Sequence, residues 1–228
     1  MPGSTPRLNI VCALSGEFRK SEADISTAIE QYNIENQHGT WNKTTLKWYI
    51  KGDIDELFEE RTNFMKTCFN IAFTEWDIEI PLVLIQAESE DDADIVIEFG
   101  TRENDPYYSG DKGKYVLAYA GYPNGGLKGY MKIFTHWDWE VKGSTNIITV
   151  IIHELGHLLG RPHSERRVWK DIMDPIINSR ITELSSHDVA GITAAYGARE
   201  YANDQRHNML ETANRRQKER LRGIPSTS

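Results

Sequence analysis

One stretch of eleven residues, 153–163, constrains this 228-residue chain more than any other part of it. It reads His-Glu-Leu-Gly-His-Leu-Leu-Gly-Arg-Pro-His and follows a run of apolar residues. Residues four apart in a helix lie on the same face one turn apart, so His153 and His157 can direct their imidazoles at one metal ion. Gly160 is the expected end of that helix, because glycine adopts the left-handed conformation at little steric cost. The chain turns back there and presents His163 as a third nitrogen ligand.

This spacing predicts a catalytic zinc site rather than a structural one. Three neutral imidazoles leave the fourth tetrahedral position of a zinc ion for water. Glu154, which follows the first ligand, would overhang that position and act as the general base. The competing interpretation is a buried helix whose histidines are hydrogen-bonded core residues. That interpretation fits a single histidine better than it fits three histidines at this spacing.

The same residues match the metzincin signature H-E-x-x-H-x-x-G-x-x-H, and Asp-Ile-Met-Asp-Pro at 171–175 supplies the methionine turn that this family carries downstream. Within the metzincins the chain most resembles a matrixin, the matrix metalloproteinase type, from about residue 45 to residue 197. The flanking segments that carry the resemblance are Leu-Lys-Trp-Tyr-Ile at 46–50, Ala-Phe-Thr-Glu-Trp at 72–76 followed by Pro81 and Leu82, Ala-Asp-Ile-Val-Ile-Glu-Phe at 93–99, and a last helix with Leu184, Ser185, Asp188, Gly191, Tyr196 and Gly197.

The resemblance implies an α+β, zincin-like fold with a twisted, mixed sheet of five strands and three main helices. The zinc-site helix would end in a glycine turn, with Met173 in a methionine turn below the zinc and Asp188 bracing that turn. Hydropathy patterns predict the same elements: strands near 45–50, 81–85, 93–99, 115–120 and 129–134, and helices near 53–76, 147–159 and 185–196.

Two local patterns set the expected starts of the first two helices. Asp53 and Glu56 form a capping-box pattern for the first helix. Ser144 or Thr145 is expected to cap the zinc-site helix. The first of these helices carries Cys68 on its apolar stripe, which indicates a buried free thiol.

We expect three parts in the chain: an N-terminal extension at 1–44, a matrixin-like catalytic domain at 45–197, and a charged C-terminal tail at 198–228. Matrixins are held latent by a cysteine thiolate from a Pro-Arg-Cys-Gly-type motif, which Cys12 lacks. The extension is therefore either a pro-segment or, as we prefer, a structural segment. The tail carries seven basic and four acidic residues, which predicts a solvated helix or a helix docked on the acidic remainder of the chain.

Matrixins also hold a structural second zinc ion and calcium ions, through histidines and aspartates in two segments between the strands. Here Tyr119 and Lys132 stand where histidines are expected. A protonated lysine repels a divalent cation and offers no lone pair, so we expect no structural second zinc. Asp105 and Asp111 can still contribute to a calcium site, so Ca²⁺ remains a candidate cofactor beside the one catalytic Zn²⁺.

The activity implied by the resemblance is zinc-dependent hydrolysis of peptide bonds in proteins. An extended protein or peptide substrate would add to the strand that holds Leu117 and Ala118. A pocket preferring a medium or large apolar residue would be lined by Leu158, Pro175, Ile176, Ile177 and Asn178.

Composition limits the alternatives. The formal net charge of −8 argues against a general nucleic-acid or anionic-membrane binder. A zinc-dependent nuclease would also lack Glu154 and would need a basic face. A catalytically silent zinc- or peptide-binding module on the same scaffold is the remaining alternative. We expect a monomer.

The compartment stays open at this point. No apolar run approaches the ~20 residues of a transmembrane helix. The first six residues lack the charged and then apolar plan of a signal peptide. Either the protein is cytosolic or a leader is missing from this sequence, whereas the resemblance implies an extracellular location.

Overall fold

The computed structural model has an α+β fold, and it describes residues 38–52, 62–103, 105–108, 116–139, 145–164, 170–199 and 205–222. The strands are β1 (Thr45–Lys51), β2 (Val83–Gln86), β3 (Ile95–Gly100), β4 (Ala118–Ala120) and β5 (Tyr130–Phe134). The α-helices are α1 (Thr62–Glu79), α2 (Ile147–Leu158), α3 (Ser186–Tyr196) and α4 (Gln205–Arg222). The predictions for Cys12, for the Asp53 and Glu56 capping box, for Asp111 and for Ser144 lie outside the described residues.

The five strands form one mixed sheet in the order β2-β1-β3-β5-β4. All neighbours are parallel except β4, which runs antiparallel to β5. The mixed five-stranded sheet of the sequence prediction is confirmed. The helix count differs, because the tail supplies α4 as a fourth helix within the described residues.

The sheet buries one face through simple alternation. In β1, Leu46, Trp48 and Ile50 are buried while the residues between them are partly exposed. This period of two is what a half-buried strand requires. Trp48 stacks on Phe73 of α1 with ring centroids 4.5 Å apart, which joins the sheet to the first helix. Cys68 lies in the same core as a buried free thiol, as predicted.

Helix α2 lies at the centre of the core, and all twelve of its residues are buried. Trp76 of α1 donates from Nε1 to the carbonyl oxygen of Ile152 at 2.9 Å. A Cβ atom added to Gly156 would lie 2.3 Å from Met173 Sδ and 2.9 Å from the Trp76 ring. Only glycine therefore allows α1, α2 and the methionine turn to approach this closely.

The start of α2 differs from the prediction by one residue. Asn146 is the N-cap, and its Oδ1 accepts from Ile148 N–H at 3.0 Å. Thr145 instead donates its hydroxyl to the carbonyl of Asp138. Asn146 is the better choice because its amide group also donates to Ser179 O at 2.9 Å, so one side chain serves two segments.

The end of α2 is as predicted. Gly160 has a φ of +90°, and its N–H donates to His157 O at 2.8 Å. A Cβ atom there would lie 2.1 Å from Gly39 O, so a side chain is excluded by space as well as by backbone conformation.

The tail helix α4 is not fully solvated, contrary to the simpler of the two expectations. Lys218 Nζ and Asn214 Nδ2 each lie 2.6 Å from Oε1 of Glu75 in α1. Leu221 is 4% exposed and joins the main core. The polar helix therefore docks on α1. No helix in the described parts of the chain is both long and apolar enough to cross a membrane.

Candidate metal centre

Three buried histidines meet at the C-terminal end of α2. The Nε2 atoms of His153 and His157 are 3.1 Å apart, and that of His163 lies 3.3 Å and 3.2 Å from them. They form the metal-ligating cluster found within the described residues. Two ligand nitrogens on a tetrahedral zinc ion, with bonds of about 2.0–2.1 Å, are expected about 3.3 Å apart. The three nitrogens therefore have the spacing that zinc requires.

Backbone carbonyls set the direction of two of these rings. His153 Nδ1 lies 2.6 Å from Ile172 O, and His157 Nδ1 lies 2.8 Å from Arg161 O. A carbonyl can only accept, so both Nδ1 atoms carry the proton and both Nε2 atoms present lone pairs to the centre. Such orientation by a second layer of groups is the usual arrangement around metal-bound histidines.

Burial keeps the cluster neutral. Loss of solvent lowers the pKa of His153 to about 4. The same loss lowers the pKa of His157 and of His163 well below the ordinary value, and neighbouring histidines lower both further. Neutral imidazole is the form that binds metal, so the protein holds its ligands ready at neutral pH.

Glu154 and Met173, predicted as the general base and as the apolar support below the metal, are both buried in the core. Glu154 follows His153 in α2 and is fully buried. Met173 is also fully buried, and its Sδ lies against Gly156, between the first two ligands in the chain.

Asp188 of α3 holds the chain that carries Met173. Its carboxylate accepts from the backbone N–H groups of Ile172 at 2.8 Å and Met173 at 3.2 Å. It also forms a capping box with Ser185 at the start of α3. Since Ile172 supplies the carbonyl that orients His153, Asp188 is two hydrogen bonds away from a ligand ring.

The residues predicted to bind substrate fall into two groups. Leu117 and Ala118 are buried at the start of β4, the edge strand whose sheet partner is β5. Pro175 is buried, while Ile176, Ile177 and Asn178 are half-buried.

Residues 179 and 181, just after the 175–178 segment, are hydrogen-bonded to the start of α2. Asn146 Nδ2 donates to Ser179 O at 2.9 Å, and Thr149 Oγ1 donates to Ile181 O at 2.6 Å. Leu158 lies nine residues beyond Thr149, where its carbonyl accepts from Trp41 Nε1 at 2.7 Å. The structure thus joins residues 179 and 181 to Asn146 and Thr149, two residues that the sequence analysis did not single out.

Tyr119 and Lys132 form a polar cluster around buried Asp105. Lys132 Nζ and the Tyr119 hydroxyl each lie 3.0 Å from Asp105 Oδ2. The backbone N–H groups of residues 107–108 donate to Oδ1 at 2.9 Å. Burial alone would raise the pKa of Asp105, but Lys132 and the other donors lower it below its usual value. The carboxylate is therefore ionised and fully engaged.

A family model described as Matrixin matches residues 40–197, which is more than half of the chain. The chain belongs to the matrixin family. Karilysin of Tannerella forsythia is 33% identical to this matrixin over 170 residues, covering 72% of the chain and 35% of karilysin.

Two further relatives come from plants and animals. Metalloendoproteinase 1-MMP of Arabidopsis thaliana is 29% identical over 204 residues, covering 82% of this matrixin and 52% of the relative. Stromelysin-1 of Equus caballus is 31% identical over 163 residues, covering 69% of this matrixin and 33% of the relative. This matrixin thus spans between about one third and one half of the length of these relatives.

Proposed function

We propose that this matrixin is a zinc-dependent endopeptidase in which Glu154 is the general base. The observation that carries the proposal is the convergence of three neutral Nε2 atoms, 3.1–3.3 Å apart, together with a buried glutamate that follows the first of these histidines in α2. His153, His157 and His163 would hold one Zn²⁺ ion. When bound, that ion would supply Lewis-acid polarisation of a water molecule and of the substrate carbonyl.

The protein's own residues carry the proton transfers. Glu154 accepts a proton from the attacking water and then delivers it to the leaving amine. Ile172 O and Arg161 O keep the protons of His153 and His157 on Nδ1, so both Nε2 lone pairs are directed at the metal position. Met173 and the apolar residues of α2 exclude bulk water from the underside of the site.

We place the substrate along β4, in extended conformation and antiparallel to it. Among the described strands only β5 pairs with β4, and the other side of β4 would offer its backbone groups to a peptide. The 175–178 segment forms the wall of a pocket for an apolar side chain. Leu158 lines the other side of that pocket, and Asn146 and Thr149 hold residues 179 and 181, which follow the wall segment.

We also propose that the protein lacks a structural second zinc. Lys132 and Tyr119, which stand where the resemblance expects histidine ligands, both contact Asp105 Oδ2 instead. The possible calcium site remains a prediction: Asp105 is already engaged on both oxygens, and Asp111 lies outside the described residues.

The remaining assignments are proposals of the same kind. The division at residues 44 and 197, a monomeric state, and a location outside the cell follow from the resemblance. The net charge of −8 supports the absence of nucleic-acid and anionic-membrane partners.

The test is cleavage of a mixed peptide library by zinc-loaded wild type and by Glu154→Gln. We expect the variant to retain one zinc ion per chain and to lose at least about 100-fold in kcat/KM, because only the proton acceptor is removed. Glu183→Gln is the matched control, since Glu183 is an exposed glutamate on the surface. Removal of zinc with a chelator should abolish cleavage and its return should restore it.

Three results would contradict the proposal in different ways. Zinc binding by the wild type without cleavage would favour the catalytically silent module. Equal cleavage by wild type and Glu154→Gln would exclude Glu154 as the base. Cleavage that survives the chelator would exclude zinc.

A further inference from the structure

Arg161 belongs to the turn that presents the metal ligands. Its backbone N–H donates to Gly156 O at 2.8 Å, and its carbonyl oxygen lies 2.8 Å from His157 Nδ1. The backbone of Arg161 thus determines where the second ligand ring points.

The side chain of Arg161 extends to α3. A Cβ atom added to Gly191 would lie 2.0 Å from the guanidinium carbon of Arg161 and 2.0–2.2 Å from two of its nitrogens. The guanidinium group therefore occupies the space that a side chain on α3 would fill. Its Nε atom is buried and has no hydrogen-bond partner among the described residues. The contact is made by close packing on the helix backbone.

Two buried carboxylates explain why a cation lies there. Asp188 is one helical turn before Gly191, and Asp171 is the first residue of the methionine turn. Asp171 accepts from Ser185 Oγ at 2.7 Å and from His187 Nδ1 at 2.8 Å. Burial lowers the pKa of Arg161, and the negative charges of Asp188 and Asp171 offset part of that lowering. The positive guanidinium in turn favours the ionised form of both carboxylates.

Helix α3 therefore contacts both of the residues whose carbonyls orient the histidine rings. Asp188 holds the N–H of Ile172, whose carbonyl meets His153. The side chain of Arg161 packs on Gly191, which lies on the same side of α3. The carbonyl of Arg161 accepts a hydrogen bond from His157. The first connection runs through hydrogen bonds and the second through the arginine.

We propose that Arg161 is a positioning residue of the metal centre: its guanidinium, seated on Gly191 beside Asp171 and Asp188, holds the carbonyl that orients His157. This inference rests on the proposed function in one respect, since it concerns the same zinc site. It makes no use of peptide cleavage.

The test measures the zinc dissociation constant of the full chain by competition with a chromophoric chelator. We expect Arg161→Met to weaken zinc binding by about 10–100-fold, the usual effect of removing a group that orients a ligand. Gly191→Ala should weaken it to a similar degree, because the new methyl group displaces the guanidinium. Arg161→Lys keeps the charge and should recover part of the affinity. Arg180→Met, at an exposed arginine, is the control and should bind zinc as the wild type does.

A spectroscopic measurement separates positioning from general destabilisation. With cobalt(II) in place of zinc, the visible absorption bands report the geometry of the ligands. They should change in Arg161→Met and stay unchanged in Arg180→Met. Combining Gly191→Ala with Arg161→Met should add little to the single arginine change, because the displaced group is already absent.

A dissociation constant for Arg161→Met within twofold of wild type, with unchanged cobalt bands, would overturn the inference. If Arg161→Met does not fold, Gly191→Ala and Arg161→Lys decide the matter by the same two measurements. Wild type that binds zinc with the expected differences among variants, yet cleaves no peptide, would refute the proposed function and leave this inference standing. Wild type that cleaves peptides, beside an Arg161→Met variant with full zinc affinity, would refute this inference alone.

Discussion

At the scale of single residues, the metal centre depends on keeping three imidazoles neutral before any metal arrives. Their burial does this, since a charged ring in a dry site loses its hydration. Burial of neutral imidazoles lowers the free energy of unfolding below neutral pH, because the unfolded chain binds protons that the folded chain does not bind.

This effect predicts how the metal-free protein responds to acid. The pKa of His153 is about 4 in the folded state and about 6.5 in an unfolded chain. Between these values the unfolded state binds more protons, so stability rises with pH and is lost as pH falls. We expect His153 alone to lower the free energy of unfolding by about 2 kcal/mol between pH 7 and pH 5. His157 and His163 act in the same direction.

Urea unfolding of the metal-free protein at the two pH values measures this loss. His153→Gln should show a smaller difference between them, because one titrating group is gone. An unfolding midpoint that is the same at pH 5 and pH 7 would contradict the prediction.

The ligand residues could be predicted from spacing because a helix repeats every 3.6 residues and a glycine can end it. The groups that orient the ligands could not be predicted. Ile172 O and Arg161 O are backbone atoms, and any residue type supplies a carbonyl. Only the folded chain shows which carbonyl faces which ring.

At the scale of elements, a buried ion pair joins Asp105 to β5. Lys132 of β5 is 9% exposed and Asp105 is 2% exposed. The sequence indicated that Lys132 would not bind a metal, but it did not indicate that Asp105 would be its partner. The two are 27 positions apart in the chain, and their pairing depends on how the chain folds.

We expect Lys132→Met to lower the free energy of unfolding by about 3 kcal/mol, because it leaves the Asp105 carboxylate buried without its cation. Lys47→Met on β1 is the matched control. Lys47 pairs with Asp92 at 2.7 Å, but both side chains are exposed, so the loss should stay below about 1 kcal/mol. Denaturant unfolding of both variants is the measurement.

Adding Asp105→Asn to Lys132→Met should recover part of the stability, since the unpaired charge is then removed. Equal losses for Lys132→Met and Lys47→Met would show that the buried pair contributes no more than a surface one.

At the scale of the whole molecule, the C-terminal segment closes the fold over α1. Arg199 follows α3 and donates from Nη2 to Asp77 Oδ1 at 2.8 Å and to Leu82 O at 3.1 Å. Further on, α4 places Lys218 on Glu75 and Leu221 in the core. The sequence predicted a polar helix here from its charges. Its docking was left open because two leucines and one methionine among many charged residues give a weak amphipathic pattern.

Leu221→Ala should lower the free energy of unfolding by about 2 kcal/mol, from lost burial and the cavity left behind. Met209→Ala, on the same helix but 71% exposed, should change it by less than about 0.5 kcal/mol. Thermal unfolding compares the two. A Leu221→Ala variant as stable as Met209→Ala would mean that α4 is not docked in solution.

The three ligands come from one stretch of eleven residues, and this has a consequence for the unfolded chain. Closing so short a loop around an ion costs little chain entropy. The unfolded polypeptide therefore retains measurable affinity for zinc, and it can capture the ion before the sheet has assembled. Zinc will then raise the unfolding free energy by less than its affinity for the folded protein implies, because both sides of the equilibrium bind it.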